Sequence, residues 1–282
     1  MPWRFTSDVD VYAGRAWGLL AADPAQHTVA LTVIESARAG RRWSGAPMLF
    51  GWYDDGGQVR GAVSMTPPYE LLLATVPADA LPALVAALRA ERGALPGVTG
   101  AAATVERFAG AWTAGTALLA TVALRLRLYR LAALRPPEPP PAGAARPAAE
   151  ADLATAVRWM AAFEAEAGVP RTDVEATVRE RLGDGRLWLW EDATGTPLSF
   201  AARTAPAAGV ARIAPVYTPP DHRRRGYGAA VTAACTADAL RRGAAHVVLF
   251  TDRANPTANA IYRRLGFRPI GEYRVTRFAG ER

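Results

Sequence analysis

Near the middle of the 282-residue chain runs Arg135-Pro136-Pro137-Glu138-Pro139-Pro140-Pro141-Ala142-Gly143, and no regular element can pass through it. Each proline lacks a backbone N–H and fixes φ, so neither a helix interior nor a central strand tolerates the run. A stiff, extended linker is what such a stretch forms. The chain is therefore predicted to divide into a module over residues 1–134, a linker over 135–148 and a second module over 149–282. Each module has ordinary domain length, and 50% hydrophobic against 21% charged residues leaves enough apolar surface for a core in both.

In the second module, Leu153, Val157, Trp159, Met160 and Phe163 recur with helical period, predicting a helix from Asp152 to Ala167 with Asp152 as its cap. A further helix is expected from Thr172 to Leu182. Strands are expected at 187–190, 198–201 and 211–217, with glycines in the turns between. A helix over 226–242, a buried strand over 247–250, a helix over 257–265 closed by Gly266 and a strand over 272–278 complete the order. The first module repeats that order faintly. Helices are expected at 12–21, 28–39, 80–92 and 105–112, strands at 48–53, 59–65 and 70–76, and an extended segment at 117–129. An internal duplication would give this pattern, as would two unrelated α/β modules.

The net charge of +7 comes from arginine alone: all 33 basic residues are Arg, as codon bias in a GC-rich genome would leave them. They are scattered apart from Arg223-Arg224-Arg225, without the basic face and interleaved aromatics of a nucleic-acid binder, so no nucleic-acid partner is expected. Cys235 is the single cysteine, which excludes an intrachain disulfide and a cysteine-rich metal site. Its small-residue surroundings predict an inert core thiol. No apolar run is long enough to span a bilayer and the N-terminus lacks a secretory pattern, so a cytoplasmic protein without membrane attachment is expected.

One stretch carries specific chemistry: Val216-Tyr217-Thr218-Pro219-Pro220-Asp221-His222-Arg223-Arg224-Arg225-Gly226-Tyr227-Gly228-Ala229, between an expected strand and an expected helix. Glycines there let the backbone approach a ligand, and the unpaired N–H groups of the helix start make an anion cradle with the helix dipole behind them. The adjacent arginines add positive charge where a polyphosphate would lie. Arg-x-x-Gly-x-Gly alone is a weak signal. It gains weight from a second cluster one strand later, with Asn255, Tyr262 seven residues on, and Gly266-Phe267.

With both clusters in this order, the second module resembles the GNAT acetyltransferase superfamily. That family's phosphate loop, Gln/Arg-x-x-Gly-x-Gly/Ala, is matched by Arg223, Gly226 and Gly228, and its following helix by Asn255, Tyr262, Gly266 and Phe267. The resemblance covers residues 145–280. It implies an α/β fold, a mixed central sheet flanked by helices, with two such domains in tandem if the first module is a copy without the motifs. It further implies acetyl-CoA as co-substrate, no metal, and an amine acceptor. Backbone groups of Val216, Tyr217 and Thr218 would meet the pantetheine and acetyl group. Those of Arg224, Arg225, Gly226, Tyr227, Gly228 and Ala229, beside Arg223, would hold the pyrophosphate. Asn255 would bind the pantetheine arm, and Tyr262 would face the thioester sulfur as the catalytic side chain.

The acceptor is expected to be a small-molecule amine, with a protein amine or a non-catalytic acyl-CoA-binding module as alternatives. Glu164, Glu166 and Asp173 are candidate bases equally readable as solvated helix charges, so no base is assigned. Residues 1–134 are read as a degenerate or accessory domain. No feature sets the oligomeric state, and a dimer is one option.

Overall fold

The computed structural model describes residues 3–169 and 173–280. The first half runs β1 (Trp3–Thr6), α1 (Val9–Ala21), α2 (Thr28–Arg38), β2 (Leu49–Asp55), β3 (Gln58–Met65), β4 (Leu71–Thr75), α3 (Leu81–Arg92), β5 (Gly97–Ala101), α4 (Ala102–Thr113) and β6 (Leu118–Leu131). The second runs β7 (Ala144–Pro147), α5 (Leu153–Ala167), α6 (Val174–Gly183), β8 (Leu187–Glu191), β9 (Pro197–Arg203), β10 (Val210–Tyr217), α7 (Tyr227–Arg241), β11 (His246–Asp252), α8 (Pro256–Arg264) and β12 (Phe267–Gly280). The two halves have the same element order throughout, so the faint repeat expected from the sequence is complete.

The compact units do not follow chain order. One comprises Met1–Arg127, Asp252–Ala254 and Gly271–Arg282, the other Leu128–Thr251 and Asn255–Ile270. The reason is an exchange of last strands. Tyr273–Arg277 of β12, expected to finish the second module, pairs antiparallel with Gly97–Ala101 of β5. β6, the last strand of the first half, lies next to β11. The strand order is thus β1-β2-β3-β4-β5-β12 in the first unit and β6-β11-β10-β9-β8-β7 in the second. Each is a mixed sheet: β4 and β5 are parallel, as are β10 and β11, and the other registered neighbours are antiparallel.

In the first unit, Leu81, Leu84, Val85 and Leu88 of α3 and Val105, Phe108 and Trp112 of α4 bury against Val63, Leu71, Leu73 and Val98. In the second, Val231 and Cys235 of α7, Leu265 just after α8 and Phe267 at the start of β12 bury against Ile213, Val247 and Leu249. On the other sheet face, Trp159 and Met160 of α5 and Val178 of α6 cover Leu187, Leu189, Phe200 and Tyr217. A buried ion pair anchors α7: Arg203 at the end of β9 meets Asp238 at 3.0 Å, with 2% and 8% of the side chains exposed.

Two expectations change locally. The proline run itself is irregular, but Ala144–Pro147, expected as linker, forms β7 on the edge of β8. Asp152 does not cap α5. Its carboxylate accepts from Ala149 N at 2.8 Å in the 3-10 turn before that helix and takes both Arg146 Nη groups at 2.6 and 2.9 Å. The cap is lost because a bidentate guanidinium is the stronger partner. The Arg146 hydrogen bonds hold the Asp152 carboxyl below the usual carboxylate range. Thr172, expected to begin the second helix, lies outside the described residues, and Asp173 caps α6 through Ala176 N at 3.0 Å.

Candidate functional site

β10 and β11 start as a parallel pair and then part. Val210–Ile213 register with His246–Leu249; among the described residues no later β10–β11 pair forms, although β10 continues to Tyr217 and β11 to Asp252. On its other side β10 keeps β9, with a register shift between Ile213 and Val216. Pro215, in that shift, has no N–H to give a ladder. Val216 and Tyr217 of β10, and Thr218 just after it, therefore lie where β11 no longer pairs.

The chain leaves β10 through residues 218–226, making a 3-10 turn at Pro220–His222. Arg224 takes φ +63° and Gly226 φ +87°, after which α7 begins at Tyr227. Gly226 supplies a left-handed conformation that strains any residue with a Cβ. The first α7 hydrogen bond from the loop runs from Ala230 N to Gly226 O at 3.1 Å, and no side chain caps the helix. Among the described residues the successive N–H groups of 224–229 thus have no protein acceptor. Six successive donors thus lie at and just before the positive end of a fifteen-residue helix, an arrangement of the kind that can receive an anion. Arg224 and Arg225 are exposed beside it. A Cβ at Gly228 would stand 3.2 Å from Thr218 Oγ1, so a side chain there would press on the end of β10.

Arg223 is placed differently from its neighbours. Its Nε donates to Thr218 O at 2.9 Å, and Nη2 pairs with Glu166 Oε1 and Oε2 at 2.9 and 2.8 Å. Its Cζ lies 5.7 Å from the centroid of the Tyr217 ring. Glu166 sits in the last turn of α5, so Arg223 ties the loop to that helix and its Nη2 is engaged there. Ser199 of β9, fully buried, donates to Tyr217 O at 2.9 Å and lies 2.8 Å from Thr218 Oγ1. The sequence reading missed Ser199. Its only signal is the strand register, which pairs the next residue, Phe200, with Tyr217.

Asn255 caps α8: its Oδ1 accepts from Ala258 N at 2.9 Å, while its carbonyl accepts from Asn259 Nδ2 at 2.7 Å. Asn259 in turn accepts from the hydroxyl of fully buried Tyr129 on β6 at 2.8 Å, another link without a local signal in the chain. Capping leaves the exposed Asn255 with its amide donor. Tyr262, in the last turn of α8, is half-buried and meets Phe267 edge-on with centroids 6.2 Å apart. Among the described residues its hydroxyl has no hydrogen-bond partner. Burial pushes the phenol up to about 12. Val216, Tyr227, Ala229 and Tyr262 all pack on the cluster that includes Ile213, Leu249 and Phe267, which brings these four expected residues onto one packing unit, whereas Tyr217 packs with the cluster on the other sheet face.

Of the carboxylates weighed as bases, Glu166 is spoken for by Arg223, Asp173 by its cap, and Glu164 is buried within α5 and not solvated as expected. Cys235 is fully buried in α7 and its thiol is pushed up to about 12, as an inert core residue requires. Among the described residues no group of three or more His, Cys, Asp or Glu is placed to hold a metal, and no helix is long and apolar enough to cross a membrane.

Residues 155–267 match the family model described as acetyltransferase (GNAT) family. No curated protein sequence matches the chain. Among solved structures, the chain is similar to a GCN5-related N-acetyltransferase from Sphaerobacter thermophilus, with TM-score 0.63 and 16% identity over 99% of this chain and 95% of that one. It is also similar to a GCN5-related N-acetyltransferase from Kribbella flavida, with TM-score 0.56 and 25% identity over 89% and 96%. A tandem GNAT protein from the clavulanic acid biosynthesis pathway aligns with TM-score 0.57 and 14% identity over 99% and 98%. At these identities the first and third similarities speak to fold, and they span both halves.

Proposed function

We propose that the protein, whose residues 155–267 match the acetyltransferase (GNAT) family model, transfers an acetyl group from acetyl-CoA to the amine of a small molecule. The observation that carries the donor assignment is the run of N–H groups over 224–229 without protein acceptors, at the start of α7. Such an arrangement fits a pyrophosphate, with Arg224 and Arg225 adding charge beside it. Where β10 no longer pairs with β11, the edge at Val216, Tyr217 and Thr218 suits an extended pantetheine arm, and the free amide donor of Asn255 suits the same arm.

Acetyl-CoA would supply the activated thioester; the protein would supply orientation and hydrogen bonds. The Thr218 N–H has no acceptor among the described residues and is suited to meet the charge that develops on the acyl oxygen. Tyr262 then serves the departing sulfur. With its phenol near 12 against a thiol near about 8.5, full proton transfer would cost roughly 5 kcal/mol. Tyr262 therefore acts as a hydrogen-bond donor to the thiolate. The first half, with the same element order and neither motif, is read as a tandem copy that has lost the donor chemistry.

Titration calorimetry of the full chain with acetyl-CoA, followed by thiol-release assays over panels of small amines and of peptides, tests this. We expect one donor bound per chain and turnover with a small amine. A folded protein that binds no acetyl-CoA ends the acyltransferase reading, while turnover with peptides alone reassigns the acceptor.

A further inference from the structure

Two peptide planes meet at Thr218, and each is gripped from one side. In a trans peptide the carbonyl and the following N–H point in opposite directions. Ser199 Oγ donates to Tyr217 O at 2.9 Å, which turns the Thr218 N–H, in the same plane, away from β9. Ser199 has a single hydroxyl proton, so its 2.8 Å contact with Thr218 Oγ1 is donated by the threonine. The second plane is held at Thr218 O by Arg223 Nε at 2.9 Å, and Arg223 is itself fixed by both oxygens of Glu166. The bare Cα of Gly228 leaves the threonine hydroxyl in place, since a Cβ there would stand 3.2 Å from it.

We propose that Ser199 and Arg223 are positioning residues that clamp the two peptide planes of Thr218 and thereby aim its N–H at the acyl oxygen of the donor. This rests on the acyltransferase reading above. It also changes the role of Arg223: the first residue of the Arg-x-x-Gly-x-Gly run is a strut between the loop and α5, and the pyrophosphate is left to the backbone, Arg224 and Arg225. Glu166, read from the sequence as a solvated charge, becomes the anchor of that strut.

The two roles of Arg223 make opposite statements about Glu166. A phosphate-binding Arg223 would be released by Glu166→Gln, leaving donor affinity equal or higher, while Arg223→Gln would weaken it. A strut makes the two substitutions equivalent, and the double variant no worse than either single one. We expect each to lower kcat by about 3- to 10-fold with donor Kd changed less than about threefold, and Ser199→Ala to lower kcat by about 10-fold or more with donor Kd equally preserved. The clamp is also visible without donor, as a displaced Thr218 amide resonance in ¹⁵N-labelled Ser199→Ala protein. Unchanged turnover and an unmoved resonance in Ser199→Ala overturn the clamp, as does a tenfold donor-affinity loss confined to Arg223→Gln. Wild-type protein that shows neither donor binding nor transfer overturns the acyltransferase reading itself, a result the resonance measurement keeps separate.

Discussion

The passage from β10 to α7 and its counterpart from β4 to α3 occupy the same place in the repeated order, yet they are built for different ends. In the second half, residues 218–226 include three arginines and a glycine, lie largely exposed, and lead into a helix start with its N–H groups unspent. In the first half, residues 76–80 are Val76-Pro77-Ala78-Asp79-Ala80. There Val76 and Ala80 are buried, Ala80 N donates to Pro77 O at 3.1 Å, and Pro82 removes a donor near the helix start. The charge on offer is the Asp79 carboxylate, 3.8 Å from Arg60. The following helices differ in the same sense. α8 begins with the Asn255 cap and carries Tyr262 as its seventh residue; α4 has no side-chain cap and carries fully buried Phe108 as its seventh. A shared topology thus sets where a phosphate could be met, and loop length, glycine and donor count decide whether it is met.

The sharpest break comes from the anchor of α7. α3 is held by leucines and a valine, whereas α7 carries Asp238 paired with Arg203 in the core. Asp238→Ala leaves that guanidinium unpaired and should cost about 3–5 kcal/mol, read by denaturant unfolding. Burial alone would raise the Asp238 carboxyl, but hydrogen bonds from Arg203 and Arg242 outweigh it and hold it below its usual range. Its contribution is therefore present above the usual carboxylate range and lost as pH falls through the lowered value. The acid side of the stability profile should be shallower in the variant.

Next, Tyr262→Phe makes α8 resemble α4 at this position. Turnover should fall by roughly 10- to 1000-fold, or ~1.4 to 4 kcal/mol, with acetyl-CoA affinity within a few-fold. Because the phenol stays protonated up to about 12, the pH–rate profile of the wild type should show no descending limb from this group across the neutral and mildly alkaline range. Such a limb, if it disappears in the variant, would restore proton donation.

Gly226→Glu or Gly228→Glu brings the acidic, crowded character of the first crossover into the second. Donor affinity should drop at least about tenfold, or ~1.4 kcal/mol, in calorimetry on folded variants. Unchanged affinity would mean the pyrophosphate lies elsewhere. The smallest effect is expected where the first half is altered: Asp79→Asn should leave donor stoichiometry and turnover within about twofold. A loss of donor binding there would give the first crossover a role that its composition denies.

How far these differences were legible depended on whether they are local. The glycine-rich crossover, the Asn255–Tyr262 helix and most elements have their signals within a few consecutive residues, and they stand where the periodicity put them. β1, β5 and β7 were missed because each is short, and glycines in Gly97–Ala101 and Pro147 in β7 erase the alternation that marks a strand. The strand exchange was invisible for another reason. Nothing in Tyr273–Arg277 states whether it will pair with its own half or with β5. The pairing of Arg223 with Glu166 was invisible for a similar reason, because Glu166 is far off in sequence and looks like any solvated helix charge.

The exchange of β12 has a consequence for how the molecule comes into being. A nascent chain that has emerged through β6 holds most of the first unit, but the place beside β5 stays open until Tyr273–Arg277 has been synthesised. A sheet made early thus waits for a strand made about 170 residues later, a pairing of very high sequence separation, which is slow to form and leaves a hydrogen-bonding edge exposed meanwhile. Maturation of the first half is in this way made conditional on completion of the second.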